Sequence, residues 1–458
     1  MSMKQSASKN RVNGMFLRCC YGYAVSGMSV LVIGAVLPSI INEAGISFAA
    51  AGGLLSVMAI GNFLASLVFP ATAAAVGKAT AIVIVTALVP VCLTGLTFLP
   101  PLPVMYALIL GAGIGKGSIT ILNNQVVNDT SENPARMLNY LHGSYAVGAF
   151  TAPFMTALFV GAGWGWKAFL YVLSVLCVSS CASYGTMDYK SAEAAAMQKA
   201  AETARTGSRT GTGIWTGASE KWAAKTNPKA NAELSSLRGG TEPSPAAAGA
   251  AGGAGGYGAA AKPYLKSADF YCIAFALFFY AGFENCVNGW FVTYLQSTGV
   301  MGAAFAASLV SVTWAVILVG RLFCAALSRK YKRSRIIVFN CAGSAAFFVL
   351  LICAGSLPLI TVSLVGLGFC MAGIYPTSVA DAGRFIHGST TGMSVLTAIA
   401  GLGGIIAPQV VGTVADRVGI VQAVSFLMVN AVMMVLLSAV NLRRSRRQSG
   451  GTARKTGA

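Results

Sequence analysis

Charged side chains are scarce in this chain, and acidic ones are the scarcest. Only 10% of its 458 residues are Asp, Glu, Lys or Arg, and 13 acids stand against 32 basic residues and two histidines. Apolar residues make up 55% of the chain, and the mean hydropathy is +0.69. Soluble domains typically carry about 25% charged residues. The composition therefore predicts an integral membrane protein.

The motifs that identify most enzymes are also missing. The 11 cysteines are odd in number, fall in apolar stretches and include no Cys-x-x-Cys pair, so neither a disulfide framework nor a metal site is indicated. The sequence has no nucleophile–base pair, metal-ligand cluster or nucleotide-binding loop. We therefore expect a protein that is not an enzyme and that needs no cofactor.

The basic residues are distributed in a way that sets membrane topology. The net charge of +19 would suit a nucleic-acid partner, but the Lys and Arg residues lie almost wholly between apolar segments. Basic loops alternate with loops that lack Lys and Arg, such as residues 42–43, 99–103 and 296–299. The positive-inside rule predicts that both termini and the central loop are cytoplasmic. We expect the cytoplasmic membrane as location, lipids as partners and no nucleic acid.

Twelve apolar segments are long enough to cross about 30 Å of hydrocarbon, which takes about 20 helical residues. The first is too long for a signal-peptide core and no small-residue cleavage site follows it, so we expect it to persist as a helix. The predicted spans cover residues 15–41, 49–76, 80–99, 104–128, 138–161, 166–187, 268–295, 305–327, 336–355, 359–383, 392–415 and 420–441.

The two halves of the chain are related by a constant shift of 255 residues, the separation of Pro153 and Pro408. Such an ungapped series of matches indicates a six-plus-six duplication. We predict an N-terminal six-helix half at 1–187, a flexible Ala-, Gly- and Ser-rich linker at 188–267, and a C-terminal six-helix half with a basic tail at 268–458. The shift also pairs Gly27 with Gly282, Gly34 with Gly289, Pro103 with Pro358, Gly113 with Gly368 and Gly148 with Gly403.

Twelve spans in two repeated halves, joined by a long cytoplasmic loop, resemble the major facilitator superfamily of secondary transporters. More locally, Gly111-x-Gly113 leading to Asn123-Asn124, and Tyr280-x-Gly282-x-Glu284 followed by Gly289-Trp290, resemble its fucose-permease-like branch of sugar–proton symporters. The resemblance implies an all-α fold of two pseudo-symmetric six-helix halves, with spans one, four, seven and ten around a central cavity. We expect a monomer.

Glu284 is an ionisable residue in the middle of the apolar seventh span. A charge at the bilayer centre costs about 2.5 to 3.5 kcal/mol on insertion scales, so such a residue is expected to be functional. Asn288 lies one helical turn further along the same face, and Asn285 is adjacent. On span four, a second polar stripe comprises Lys116, Thr120, Asn123 and Asn124.

Lys116 and Glu284 both fall near mid-membrane, in opposite halves. We expect them to face each other across the cavity as an ion pair that is made and broken during transport. The alternative is a static pair that only neutralises both charges.

Several further residues are secondary candidates. For His142, near the cytoplasmic end of span five, we favour a structural hydrogen bond over proton shuttling. Asp381 and Arg321 are expected to form salt bridges at a gate or hairpin. Trp290, like Tyr280 and Tyr294, is a candidate for stacking on a ligand, although aromatic residues at helical spacing more often pack in the core.

Together these features predict a secondary active transporter that works by alternating access. A small polar solute, sugar-like first, suits the asparagines because amides donate to and accept from hydroxyl groups. We expect proton coupling through Glu284, with Na⁺ as the alternative ion. The rival hypotheses are a proton-driven exporter of drugs or metabolites from the same superfamily, and a non-transporting membrane sensor or scaffold.

Overall fold

The computed structural model describes residues 2–131, 134–189, 267–328, 330–386 and 390–455. These residues form helices and turns and no strand. The N-terminal half consists of α1 (Ser2–Ala44), α2 (Phe48–Val76), α3 (Lys78–Thr97), α4 (Leu102–Thr130), α5 (Pro134–Gly161) and α6 (Gly165–Gly185). Most of the predicted linker, residues 190–266, lies outside the described part of the chain.

The described part of the C-terminal half begins at residue 267, one residue before α7. Its helices are α7 (Ala268–Ser297), α8 (Ala303–Leu327), α9 (Arg333–Ile352), α10 (Leu357–Met371), α11 (Ile374–Ile386), α12 (Thr390–Val418), α13 (Ile420–Ser425) and α14 (Leu427–Lys455). In the described residues, twelve spans are long and apolar enough to cross a membrane. The predicted all-α fold with twelve spans is thereby confirmed.

The tenth span is broken into α10 and α11. The break lies just before Tyr375-Pro376, where the sequence predicts a kink. Pro376 has no backbone N–H to bond the preceding turn, so the helical hydrogen-bond ladder is interrupted there. The break also brings the backbone at Gly373 close to α8 and α9, because a Cβ at that position would lie 2.4 Å from both Asn340 Nδ2 and Cys324 Sγ.

The internal repeat is visible in how the helices pack. A Cβ at Gly113 of α4 would lie 2.3 Å from the Met58 carbonyl oxygen of α2, and a Cβ at Gly368 of α10 would lie 2.8 Å from the Thr313 carbonyl oxygen of α8. Met58 and Thr313 are related by the same shift of 255 residues as the two glycines. The predicted duplication therefore corresponds to two halves that pack alike.

The two halves contact each other at the end of the bundle that carries the α1–α2 loop. The Asp416 carboxylate of α12 accepts hydrogen bonds from the backbone N–H groups of Phe48 (2.7 Å) and Ala49 (3.0 Å), at the start of α2. Deeper along the same interface, the Ser56 hydroxyl donates to the Ile405 carbonyl (2.6 Å). The Gln409 amide of α12 also donates to the Ala49 carbonyl (3.1 Å), so several hydrogen bonds join the halves along this α2–α12 interface.

Backbone contact also closes this end. A Cβ at Gly34 of α1 would lie 1.9 Å from the Asn288 carbonyl oxygen of α7, and one at Gly52 of α2 would lie 2.6 Å from the Pro408 carbonyl oxygen of α12. The space between the halves is thus closed at the end opposite the chain termini.

Two neighbouring glycines of α12 provide a test of this packing. A Cβ at Gly403 would lie 1.8 Å from the Phe278 carbonyl oxygen, whereas one at Gly401 would meet nothing within 4 Å. We expect Gly403→Ala to lower the free energy of unfolding by about 1 to 3 kcal/mol, the usual cost of overpacking. Gly401→Ala, the matched control, should be neutral or stabilising by up to about 1 kcal/mol. The Tm values of the purified variants measure the difference, and equal Tm values would contradict it.

Asp416 provides a test of the closed end. Charge-assisted hydrogen bonds are roughly twice as strong as neutral ones, and an anion at a helix N-terminus contributes up to about 2 kcal/mol. Asp416→Asn should therefore shift the protein towards conformations in which this end is open. Spin labels can be attached at the exposed Phe98 and Val300, which lie in opposite halves. The distance between the two labels should be longer in Asp416→Asn than in the otherwise wild-type protein.

Glu43→Gln is the matched control for the Asp416 experiment. Glu43 is a carboxylate at the same end, but its partners Trp166 (2.5 Å) and Lys167 (2.8 Å) belong to its own half. Glu43→Gln should leave the distance between the two spin labels unchanged. An unchanged distance in Asp416→Asn as well would show that the carboxylate does not hold the end closed.

Candidate functional site

Glu284 lies on α7 and faces the space between the halves. Its neighbours Phe283 and Cys286 are fully buried, whereas Glu284 itself is half-buried. The Tyr280 hydroxyl, one turn earlier on α7, donates to Glu284 Oε1 at 3.0 Å and lies 3.3 Å from the Met371 carbonyl oxygen of α10. The carboxylate is therefore positioned from its own helix and linked to α10.

Two cations interact with this carboxylate. Arg321 of α8 and Lys116 of α4 both act electrostatically on the carboxylate. Among described residues Glu284 forms no direct salt bridge, whereas Glu43 is paired with Lys167 and Asp269 with Arg444. The structure thus brings Lys116 and Glu284 together across the halves, with the three charges around a shared space.

Arg321 lies deeper than the sequence analysis placed it. It is nearly two turns before the end of α8, and besides Glu284 it acts electrostatically on Tyr23, His142 and Tyr145 of the N-terminal half. Its Nε–H is buried and has no hydrogen-bond partner among the described residues. Arg321 therefore lies near Glu284, and it forms no salt bridge with a hairpin carboxylate among the described residues.

Four tyrosines surround the charged groups, and of these the sequence analysis named Tyr280 alone as a candidate for contact with a ligand. Tyr23 of α1 and Tyr145 of α5 have ring centroids 5.0 Å apart, and Tyr280 and Tyr375 of α11 have centroids 6.3 Å apart. Glu284 interacts electrostatically with Tyr145 and Tyr375. The tyrosines of both halves thus add hydroxyl groups to the site.

His142 has the partner that the sequence did not reveal. The Tyr23 hydroxyl lies 3.5 Å from His142 Nδ1, and the two rings meet edge to face at 5.4 Å. His142 is exposed, whereas Tyr23 is buried.

Three of the predicted site residues pack away from the central space. Asn123 is fully buried in the N-terminal half, where its amide exchanges hydrogen bonds with the Tyr184 hydroxyl of α6 (2.9 and 3.0 Å). Trp290 is also fully buried, and its Nε1–H donates to the Pro408 carbonyl (3.1 Å). Asp381 is buried and accepts a hydrogen bond from Asn441 of α14 (3.0 Å). These side chains join helices within one half.

The remaining asparagines are half-buried. Asn285 bonds back to the Ala281 carbonyl (3.0 Å) and faces α12, since a Cβ at Gly404 would lie 2.3 Å from its amide nitrogen. The Asn288 backbone meets α1 at Gly34. Asn124 has a buried Oδ1 without a hydrogen-bond partner among described residues. Asn124 and Asn288 are therefore the amides still available to a ligand.

Lys116 also borders a small cavity inside the N-terminal half. Two hydroxyl groups that line it, those of Ser26 and Ser180, are buried and have no partner among the described residues. The other lining residues are Val25, Ser29, Thr86, Val89, Ile119 and Cys177. Lys116 thus lies between this hydroxyl-lined cavity and the central site.

Comparison with known proteins agrees with this architecture. The Major Facilitator Superfamily model matches residues 19–408, and the chain belongs to this family. Membership indicates a multi-pass membrane transporter of small molecules rather than an enzyme. No curated protein matches the sequence.

Solved structures of the same fold are distant in sequence. A nucleoside transporter is 14% identical with a TM-score of 0.62, covering 95% of this chain and 98% of its own. A D-xylose–proton symporter is 12% identical with a TM-score of 0.63 (94% and 97%). A bacterial homologue of the human lysosomal transporter Spinster, in an inward-facing and unoccupied conformation, is 14% identical with a TM-score of 0.64 (94% and 98%).

The buried Asn123–Tyr184 pair gives a prediction that separates packing from solute binding. Removing one partner leaves the other unsatisfied, which costs about 1 to 3 kcal/mol. Asn123→Ala and Tyr184→Phe should each lower Tm, and the double variant should lose less than the sum of both, because the residues form one network. Transport per folded molecule should be retained. Loss of transport with an unchanged Tm would instead place Asn123 in the solute site.

Proposed function

We propose that this protein is a proton-coupled secondary transporter that moves a small polar solute, sugar-like first, across the cytoplasmic membrane by alternating access. The observation that carries the proposal is the group formed by Lys116, Glu284 and Arg321. Lys116 belongs to one half and the other two to the other half. A solute that binds there touches both halves and can therefore bias their relative movement.

The conformation fits one state of such a cycle. The halves are joined at the end opposite the chain termini, where Asp416 holds the start of α2. If the termini are cytoplasmic, as the positive-inside rule predicts, this is the inward-facing state. The transport cycle then requires the Asp416 contact to open when the other end closes.

Proton coupling is assigned to Glu284. A proton on its carboxylate removes the attraction that it exerts on Lys116 and Arg321. The Lys116 ammonium group has an alternative environment in the adjacent cavity, where the Ser26 and Ser180 hydroxyl oxygens can accept hydrogen bonds. Protonation would thus loosen the link between the halves, and deprotonation would restore it.

A hydroxylated solute fits the polar groups around the charges. Tyrosine hydroxyls and the amides of Asn124 and Asn288 can both donate and accept hydrogen bonds, and they come from both halves. The resemblance to the fucose-permease-like branch and the fold shared with a D-xylose–proton symporter support a sugar-like solute.

Glu284→Gln tests the coupling. The substitution keeps the shape of the side chain but removes the group that carries the proton. In proteoliposomes with an imposed proton gradient it should abolish accumulation of the solute, while exchange of labelled for unlabelled solute without a gradient continues. Accumulation at the wild-type level would contradict the role of Glu284.

Glu43→Gln is the control for this experiment as well, since Glu43 pairs with Lys167 outside the central site and should not affect coupling.

The wild-type measurement also tests the broader proposal. A proton gradient that drives no solute in either direction would favour the sensor or scaffold. Gradient-driven export of amphipathic compounds alone would favour the drug exporter.

A further inference from the structure

The charges of the central site do not balance, and this imbalance bears on the chemistry of the solute. Lys116 and Arg321 are cations, and the Glu284 carboxylate interacts with both of them. The group therefore carries one excess positive charge. An unbalanced charge in a low-dielectric interior is costly unless a counter-charge accompanies it.

The other acids near the described interior are engaged elsewhere. Asp269 is paired with Arg444, Asp381 binds Asn441, Asp416 binds the start of α2, and Glu43 is paired with Lys167. None of them contributes to the electrostatic environment of Glu284 or Lys116. These four carboxylates thus supply no second negative charge to the site.

The two cations also have unused binding capacity. Arg321 has five N–H donors in a planar fork that suits a carboxylate, and its buried Nε–H has no partner among the described residues. Lys116 makes no direct salt bridge to Glu284. Because Lys116 comes from α4 and Arg321 from α8, an anion bound to both would bridge the two halves.

We propose that the solute is a hydroxylated monocarboxylate of sugar-acid type, such as a uronate or an aldonate, with its carboxylate between Lys116 and Arg321. This inference rests on the proposed function and specifies its solute class. One negative charge neutralises the excess of the site. The hydroxyl groups of the solute then face the tyrosine hydroxyls and the free amides of Asn124 and Asn288.

Glu284 and the solute carboxylate then compete for the same two cations. When the solute binds, Glu284 loses part of its attraction to Lys116 and Arg321, and it takes up a proton from water. One anion and one proton enter together, so the step carries no net charge. On release of the solute to the open side, Glu284 returns the proton to water and again attracts the cations.

Matched acid and neutral ligands test the charge requirement. Isothermal titration of the purified wild-type protein would use a panel of pairs, for example D-galacturonate with D-galactose and D-gluconate with D-sorbitol. In the pair that fits best, we expect the acid to bind at least tenfold more tightly than its neutral partner. A neutral member that binds as tightly as its acid, or a panel in which no acid binds, would overturn the inference.

Three variants test the proposed contacts with the best acid of the panel. Arg321→Gln and Lys116→Gln should each weaken its binding at least tenfold and leave the weak neutral partner unchanged. Glu284→Gln should bind the acid as tightly as wild type or more tightly, since the competitor is gone. If Glu284 instead bound solute hydroxyls, its removal would weaken binding, and that result would overturn the inference.

Controls separate charge from folding. Lys167→Gln removes a cation that lies outside the site and should not alter binding. Arg321→Lys keeps the charge without the planar fork, so it should bind the acid better than Arg321→Gln; equal loss in both variants would count against a charge contact. If a neutral sugar is accumulated with Glu284-dependent proton coupling, the proposed function stands while the sugar-acid inference fails.

Discussion

The structure depends on one electrostatic constraint, which is that the Glu284 carboxylate lies in the middle of a membrane-spanning helix and needs opposite charge. Its partners do not come from its own helix. Arg321 attracts it from α8 and Lys116 attracts it from α4 in the other half. The attraction to Arg321 acts within the C-terminal half, whereas the attraction to Lys116 acts between the halves. In the proposed cycle, a change in the charge of Glu284 would therefore alter the attraction between the halves.

The rest of the fold provides rigid bodies on which this link can act. Within each half, helices approach until backbone meets backbone, as at Gly113 against Met58 and at Gly148, where a Cβ would lie 1.8 Å from the Ala24 carbonyl oxygen. Such packing relies on small residues and leaves little room for sliding. Between the halves, side-chain hydrogen bonds from Ser56, Gln409 and Asp416 lie on the α2–α12 interface. Alternating access would require this interface to open.

The twelve spans and the duplication could be predicted from sequence because the thickness of hydrocarbon fixes helix length and the repeat is ungapped. The electrostatic interaction of Lys116 with Glu284 agrees with their common depth. Depth does not give the direction of a side chain, which is why the positions of Arg321 beside Glu284 and of Asn123 within its own half could not be predicted. The stripe through Lys116 and Asn123 faces the interior of the N-terminal half, where Asn123 bonds Tyr184. Lys116 reaches the central site from that face because its side chain is long and flexible.

The charged residues of the site are not repeated in the two halves, although the fold is. The shift of 255 residues places Ser29 opposite Glu284, Met371 opposite Lys116 and Ser66 opposite Arg321. Duplication therefore supplied two similar scaffolds, and the charges belong to one copy each. Each half contributes one cation, whereas the acid belongs to the C-terminal half alone. When Glu284 is charged, its charge and that of Arg321 cancel within the C-terminal half. The Glu284 carboxylate then attracts Lys116 of the other half. With Glu284 neutral, two like charges face each other, and a bound anion is what can still hold the halves together.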